Sequence, residues 1–281
     1  MTNHKSISSS ALHILAMFFM LCDHAWYALF SDQRWLTGIG RMAFPIFAFL
    51  LVEGFYYTSN RRKYMRRMFL FALLTEIPFD LMIEGTVFNP FHQNVMWTFL
   101  LALFLLGLME KVRRMKRWWL AIPAAAAVVL MGYLLGIITF VDYFGYGILM
   151  VFTFYFFRVG EDKTAADPER FGRLAPVVRF ADRHRRVICG VGQLLCLYYI
   201  NMEMVGGYVY SAELFGHVME FSEQGIALFA LIPIWMYRGR QGYHAKWFRY
   251  FCYGFYPGHL LFLYLCGVRK LIWWASVSTS I

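Results

Sequence analysis

Residues 11–30 read ALHILAMFFMLCDHAWYALF, an unbroken run in which only His13, Asp23 and His24 can carry charge near neutral pH. A helix of about 20 residues rises about 30 Å, the thickness of a bilayer's hydrocarbon core. The stretch therefore reads as a membrane-spanning helix. Its adjacent Asp23 and His24 mark it as more than an anchor, because ionisable groups at membrane depth carry function by default. A cleavable signal peptide is not expected, since the run continues past signal length and shows no small-x-small cleavage site.

Composition extends this character to the whole chain. Of 281 residues, 60% are apolar and 16% charged, with 29 Phe, 18 Tyr and 9 Trp, against roughly 45–50% apolar and 25% charged in soluble domains. A typical soluble enzyme is excluded and a polytopic membrane protein expected. The net charge of +10 does not imply nucleic acid, because the basic residues form neither a soluble basic face nor a binding motif. Cys22, Cys189, Cys196, Cys252 and Cys266 all lie in apolar runs without a Cys-x-x-Cys pair, so they read as buried packing thiols. No metal site is expected: His13 and His24 stand far apart on one helix, and His92 lacks a matched ligand spacing.

The expected architecture is an all-α membrane bundle of about nine transmembrane helices. Their spans are 11–30, 38–57, 66–83, 94–111, 118–138, 144–158, 187–201, 224–237 and 247–268. A cytoplasmic N-terminus places every basic residue except Arg34, Arg41, Arg269 and Lys270 in inward loops, as the positive-inside rule requires. Residues 1–158 form a six-helix catalytic part and 187–281 a three-helix part. Between them the charged stretch 159–186, with Pro168 and Pro176, reads as a cytoplasmic linker within one membrane domain. The acidic stretch Glu203 to Glu223 is a candidate short interfacial helix.

Polar residues interrupt the first four apolar spans: Asp23, His24, Arg41, Glu53, Glu76 and Asp80. Each would cost roughly 2.5–3.5 kcal/mol at mid-bilayer if charged and alone. Arg41 is the one basic residue among them, so the acids cannot all be neutralised by pairing, and a hydrated cavity is favoured. Helix rise sets His24 and Arg41 at similar depth towards the outer face. Glu76 and Asp80 share a helix face at i, i+4, with Pro78 between them. His92, Gln93 and Asn94 open the next helix. One outer chamber can collect these groups. A neutral imidazole there can take a proton from an amine or hydroxyl as it attacks a carbonyl, with a carboxylate steadying the imidazolium. Other readings stand beside this one: Asp23 and Arg41 as a structural ion pair, Glu53 snorkelling to Arg61 or Arg62, and His259, after Pro257 and Gly258, as either a core or a site histidine. The same groups would also serve a proton-coupled transporter, and a non-catalytic scaffold is a third class.

The blocks Met20-Leu21-Cys22-Asp23-His24, Ile39-Gly40-Arg41-Met42-Ala43-Phe44-Pro45, Glu53-Gly54-Phe55, Glu76-Ile77-Pro78-Phe79-Asp80, His92-Gln93-Asn94-Val95 and Phe255-Tyr256-Pro257-Gly258-His259-Leu260 resemble the TraX family of bacterial membrane proteins. The resemblance implies a multi-pass protein of the bacterial inner membrane that transfers an acetyl or similar acyl group from acetyl-CoA. It makes His24 the catalytic histidine; read as the base, His24 has Asp23, Glu76 and Asp80 of the outer chamber as its carboxylates. Arg41, Glu53, His92, Gln93, Asn94 and His259 are then acceptor-side residues. The acceptor is a peptide N-terminus, a lipid, a sugar or a small molecule, and oligomerisation is open. Larger families of integral-membrane acyltransferases carry a basic residue eleven positions before the helix-one histidine, where this chain has His13. The inward Arg61, Arg62, Lys63, Arg66 and Arg67 would meet the CoA phosphates. Direct attack and an acyl-histidine intermediate are both compatible with this set.

Overall fold

A computed structural model of the protein describes residues 6–159, 172–214, 216–243 and 245–278. The chain enters through α1 (Ser9–Ala28), which starts where the Ser8 hydroxyl accepts the Ala11 N–H at 3.3 Å. A short α2 (Trp35–Gly40) leads through Arg41 and Met42 into α3 (Ala43–Tyr57). Then follow α4 (Arg61–Ile83), α5 (Val95–Arg113), α6 (Trp118–Ile138) and α7 (Phe144–Phe156). Asn60 and Asn94 cap α4 and α5 through side-chain oxygens, satisfying backbone donors that a helix start otherwise leaves unpaired.

Beyond residue 171 come α8 (Ala175–Arg183), α9 (Arg185–Tyr198) and a π-helical turn over Tyr199–Val205. A 3-10 segment (Glu223–Ala230) runs into α10 (Leu231–Met236), and α11 (Lys246–Ser278) follows. Residues 160–171 of the expected linker lie outside the described residues; its remaining part holds α8. The side chains of Arg269 and Lys270 also lie outside them.

Two sequence expectations need correction. Among the described residues six helical stretches, not about nine, are long and apolar enough to cross a membrane: Ser9–Ala28, Trp35–Tyr57, Val95–Arg113, Trp118–Ile138, Arg185–Val205 and Lys246–Val268. The physical reasons are length and charge. With 13 residues, α7 rises about 20 Å, short of the hydrocarbon core, and the apolar stretch Glu223–Met236 is likewise short. Helix α4 is long enough, but five basic residues in its first two turns and Glu76 and Asp80 near its end leave no sufficiently apolar window. The acidic stretch, in turn, contains an antiparallel hairpin of β1 (Val209–Leu214) and β2 (His217–Ser222) in place of an interfacial helix. Alternating Val, Tyr and Phe favour strands, and Gly216 supplies φ +77° at the turn.

The core gathers around α3, which is buried along most of its length and packs on α1, α5 and α7. A second cluster joins Met20, Ala43, Phe79, Tyr256 and Leu260, and so fixes α11 against α1 and α4. Large apolar side chains such as Phe18, Leu74, Ile77, Ile122, Leu130 and Phe262 are exposed on the outside of the bundle, as a lipid-facing surface requires. The protein is therefore a multi-pass membrane protein. Its basic end collects the segments before α1, between α3 and α4, and before α11. Ser9 donates its N–H to Arg240 O at 2.8 Å, and the Tyr243 N–H meets Ser10 Oγ at 3.0 Å.

At the opposite end small residues set the spacing. A Cβ on Gly40 would stand 2.9 Å from Asp23 Cα, and one on Gly136 would stand 2.7 Å from Phe144 O and 2.8 Å from Gly145 Cα. Such contacts let helix backbones approach closely in lipid. The α6–α7 approach leaves five residues to reverse direction, and Phe140, Tyr143 and Phe144 take φ of 52°, 60° and 43°, a left-handed conformation that costs such residues energy. Hydrogen bonds hold the turn: Gln93 N–H to Phe140 O at 2.8 Å, Asp142 N–H to Gln93 O at 2.9 Å, and Thr98 Oγ1 to Asp142 O at 2.5 Å. Gly136→Val should lower stability by about 1–3 kcal/mol, the range for overpacking, read as a lower midpoint of thermal unfolding in detergent. An unchanged midpoint would contradict the close approach.

Candidate active site

Four segments distant in sequence meet in the outer half of the bundle. Asp23 lies on α1, and Thr37 and Arg41 lie where α2 turns into α3. Thr37 Oγ1 donates to Asp23 Oδ1 at 2.6 Å, and the Arg41 guanidinium donates to Thr37 Oγ1 at 2.5 Å and reaches Asp23 Oδ1 at 3.2 Å. Thr37 is fully buried and both ions are half-buried. Tyr143 of the strained α6–α7 turn packs its ring on Phe44, just beyond Arg41 in the chain, with ring centres 4.2 Å apart. The Asp23–Arg41 pair expected from sequence is thus present, with a bridging partner, Thr37, that the sequence reading did not name.

One residue along α1, His24 points to α11. Its Nδ1 lies 2.6 Å from His259 Nε2, with the two ring planes 8° apart. His259 Nδ1 in turn bonds Phe255 O at 2.7 Å. Buried Tyr256 completes this wall, its ring centre 6.1 Å from that of His24 and 5.8 Å from that of His259. The carboxylates of α4 do not meet His24. Glu76 accepts the Trp97 indole N–H at 2.9 Å and the Asn94 amide, which also donates to Ala72 O. Asp80 accepts the Asn89 N–H at 2.8 Å. Each keeps one buried oxygen, Glu76 Oε1 and Asp80 Oδ1, without a hydrogen-bond partner among the described residues. His92 pairs with Glu84 at 2.8 Å, and Gln93 contributes its backbone to the 139–143 turn.

Glu53 stands apart from this group. It lies twelve residues beyond Arg41 on the way to the basic end, or about 18 Å along a helix. Buried there, it takes a 2.7 Å bond from Arg158, while Arg61 stacks on Phe55 at 4.0 Å. Its ion partner thus comes from the end of α7 and not from Arg61 or Arg62. The basic run of α4 is spread over several faces. Arg61 and Arg62 line a groove with Phe104 and Lys111, Arg66 lines a wide apolar groove with Gln93 and Trp97, and Lys63 is exposed. His13 instead opens on a separate cavity of about 370 Å³ between α1, α3, α4 and α11, lined by Ser9, Ser10, Tyr64, Arg249 and Tyr253 and reaching inward to Phe47, Met96 and Phe99. Arg67, whose Nε is buried without a hydrogen-bond partner among the described residues, lies 5.9 Å from the Tyr64 ring of that cavity.

Sequence reading missed Asp142, Tyr143, Tyr256 and Arg249. The available signal for the first two was an Asp-Tyr pair in a five-residue connection between two apolar runs. Burial pushes the Asp142 carboxyl up to about 6; the His92 and Arg41 charges pull against that rise, and Asp23 adds to it. A folded-state value above the ordinary 3.8 means that the folded protein holds a proton that the unfolded chain has lost. Stability from this group therefore falls as pH rises from about 4 to about 6 and stays low above. Asp142→Asn should match the wild type in thermal stability near pH 4 and exceed it at pH 8. A stability difference independent of pH would contradict this assignment.

A family model described as TraX protein matches residues 8–171. A curated relative, the probable fimbrial assembly protein FimC, serogroup H1, of Dichelobacter nodosus, is 32% identical over 125 residues, covering 41% of this chain and 51% of that protein. The matched part thus spans about half the length of that relative. No solved structure matches the chain. The family match runs over more than half of the sequence and takes in α1 to α7, with Asp23, His24, Arg41, Asp142 and Tyr143 all inside it, and so the chain belongs to the TraX protein family.

Proposed function

We propose that the protein is an acyltransferase of the bacterial inner membrane that moves an acetyl or similar acyl group from a cytoplasmic CoA thioester to an acceptor amine or hydroxyl, with His24 as general base. The observation that carries this reading is His24 itself: an imidazole inside an apolar bundle, hydrogen-bonded to a second imidazole at 2.6 Å and flanked through Asp23 by a bonded Asp–Thr–Arg set. Scattered packing histidines have no need of such company.

The chemistry balances on this chain's own groups. The acceptor nitrogen or oxygen attacks the thioester carbonyl as His24 takes its proton, the carbon–sulfur bond breaks, and the departing thiolate recovers that proton from the imidazolium. Arg41, held by Asp23 and Thr37, supplies a fixed positive charge near the place where negative charge develops on the carbonyl oxygen. Glu76 and Asp80 hold the segment 84–94 and the start of α5 in place around the chamber.

The residues at the basic end fit the donor. Acyl-CoA is anionic, and the positive-inside rule makes the basic end cytoplasmic. The cavity there carries His13 and Arg249, with the incompletely bonded Arg67 beside it, so these residues would meet the phosphates while the apolar lining takes the pantetheine arm. Arg61, Arg62, Lys63 and Arg66 would contribute charge from the same end. For the acceptor, the family resemblance and the fimbrial-assembly name of the relative both favour a peptide N-terminus arriving from the outer face.

Purified protein in lipid nanodiscs should release CoA from acetyl-CoA when given a peptide acceptor. His24→Ala should lower turnover by about 10²–10⁴-fold while the protein remains folded and inserted, with thermal stability lowered only by about 1–3 kcal/mol, as expected for leaving His259 without its partner. Arg249→Gln should raise KM for acetyl-CoA by about tenfold with kcat nearly constant, as loss of a ground-state contact requires. Proton flux across vesicles without any thioester turnover would replace this reading with transport.

A further inference from the structure

We infer that His259 is a positioning residue that fixes the tautomer of His24, so that His24 Nε2 is the nitrogen that accepts the substrate proton. The inference rests on the acyl-transfer reading for its functional meaning and on hydrogen-bond geometry for its content.

The chain of bonds starts at a group that can only accept. Phe255 O lies 2.7 Å from His259 Nδ1, and a carbonyl oxygen carries no hydrogen, so the proton in that bond belongs to Nδ1. A neutral imidazole holds one ring proton, which leaves His259 Nε2 as an acceptor. The 2.6 Å bond from that atom to His24 Nδ1 must then carry its proton on His24 Nδ1. The remaining nitrogen of His24, Nε2, has the lone pair, and no hydrogen bond ties it to another described residue. The reverse polarity would need a doubly protonated His259, a cation inside apolar packing with no carboxylate among its hydrogen-bond partners. The nearly parallel ring planes, 8° apart, with centres at 4.9 Å, fit two rings lying edge to edge along one hydrogen-bond direction.

The consequence is directional. When Nε2 takes a proton from the acceptor, the imidazolium keeps its Nδ1–H bond to His259, which stabilises the new charge and prevents the ring from turning. His259 thus has the orienting role that a carboxylate commonly fills beside a catalytic histidine, and no carboxylate among the described residues bonds His24. Placing the partner on α11, 235 residues away in sequence, also makes the base depend on the docking of the last helix.

The test is ¹⁵N NMR of histidine-labelled protein in nanodiscs, with His24 and His259 resonances assigned from His24→Gln and His259→Gln. The expected spectrum shows His24 protonated at Nδ1 and bare at Nε2. In His259→Leu that preference should be lost, turnover should fall by about 10²-fold, and the pH–rate profile should shift. His259→Gln, whose side-chain oxygen can accept from His24 Nδ1, should recover most of the rate. Protonation of wild-type His24 at Nε2, or a tautomer unchanged in His259→Leu, would overturn the inference. Absence of thioester turnover in a wild type with the expected tautomer would overturn the acyl-transfer reading and leave the pairing standing.

Discussion

A guanidinium and a carboxylate inside an apolar bundle must satisfy each other or remain hydrated, and the Asp23–Thr37–Arg41 set meets this constraint by direct bonds. The threonine bridge fixes both ions at once, its hydroxyl donating to the carboxylate and accepting from the guanidinium. For that to occur α1 and α2 must nearly touch, which Gly40 permits against the Asp23 backbone. The contact locates His24 as well, because the residue after Asp23 on a helix points about 100° away, here towards α11. One electrostatic requirement thereby sets the angle at which the histidine faces its partner.

The strained turn after α6 belongs to the same design. Aromatic residues rarely adopt positive φ, yet Phe140, Tyr143 and Phe144 all do, and the backbone of Gln93 and the hydroxyl of Thr98 hold them there. The result sets the Tyr143 ring on Phe44 beside the ion set and brings a second carboxyl, Asp142, to the edge of the chamber. Local strain stored beside a buried ion set is characteristic of functional sites, and here it sets an aromatic wall beside Arg41.

Hydropathy made the membrane class legible, and the interruptions of the apolar runs made much of the chamber legible. Asp23, His24 and Arg41 could be placed at similar depth from helix rise alone. Helix count was less readable, because a run such as 144–158 is apolar enough to resemble a span while its helix is only 13 residues long. Partner choice was not readable for a different reason. Glu53 joins Arg158 and His24 joins His259, contacts created by the packing of helices far apart in sequence, and no local periodicity encodes which distant helix lies beside which. The hairpin of residues 209–222 was hidden by its acidic residues, which read as a short interfacial helix before the alternation of Val, Tyr and Phe was weighed. Asp142 and Tyr143 escaped because a short connection between apolar runs looked like a simple reversal.

The account depends most on α11 bringing His259 against the first helix inside the membrane. Two hydrogen-bonded imidazoles hold their Cβ atoms further apart than a direct disulfide allows, so the most direct test is crosslinking with a short bifunctional thiol reagent in a background without the five native cysteines, with His24→Cys combined with His259→Cys in native membranes. Rapid and complete crosslinking is expected for this pair, with none for His24→Cys combined with Leu261→Cys, whose side chain faces outward. Failure of the first pair to crosslink in correctly inserted protein, or equal crosslinking of both pairs, would contradict the arrangement on which the proposed chemistry stands.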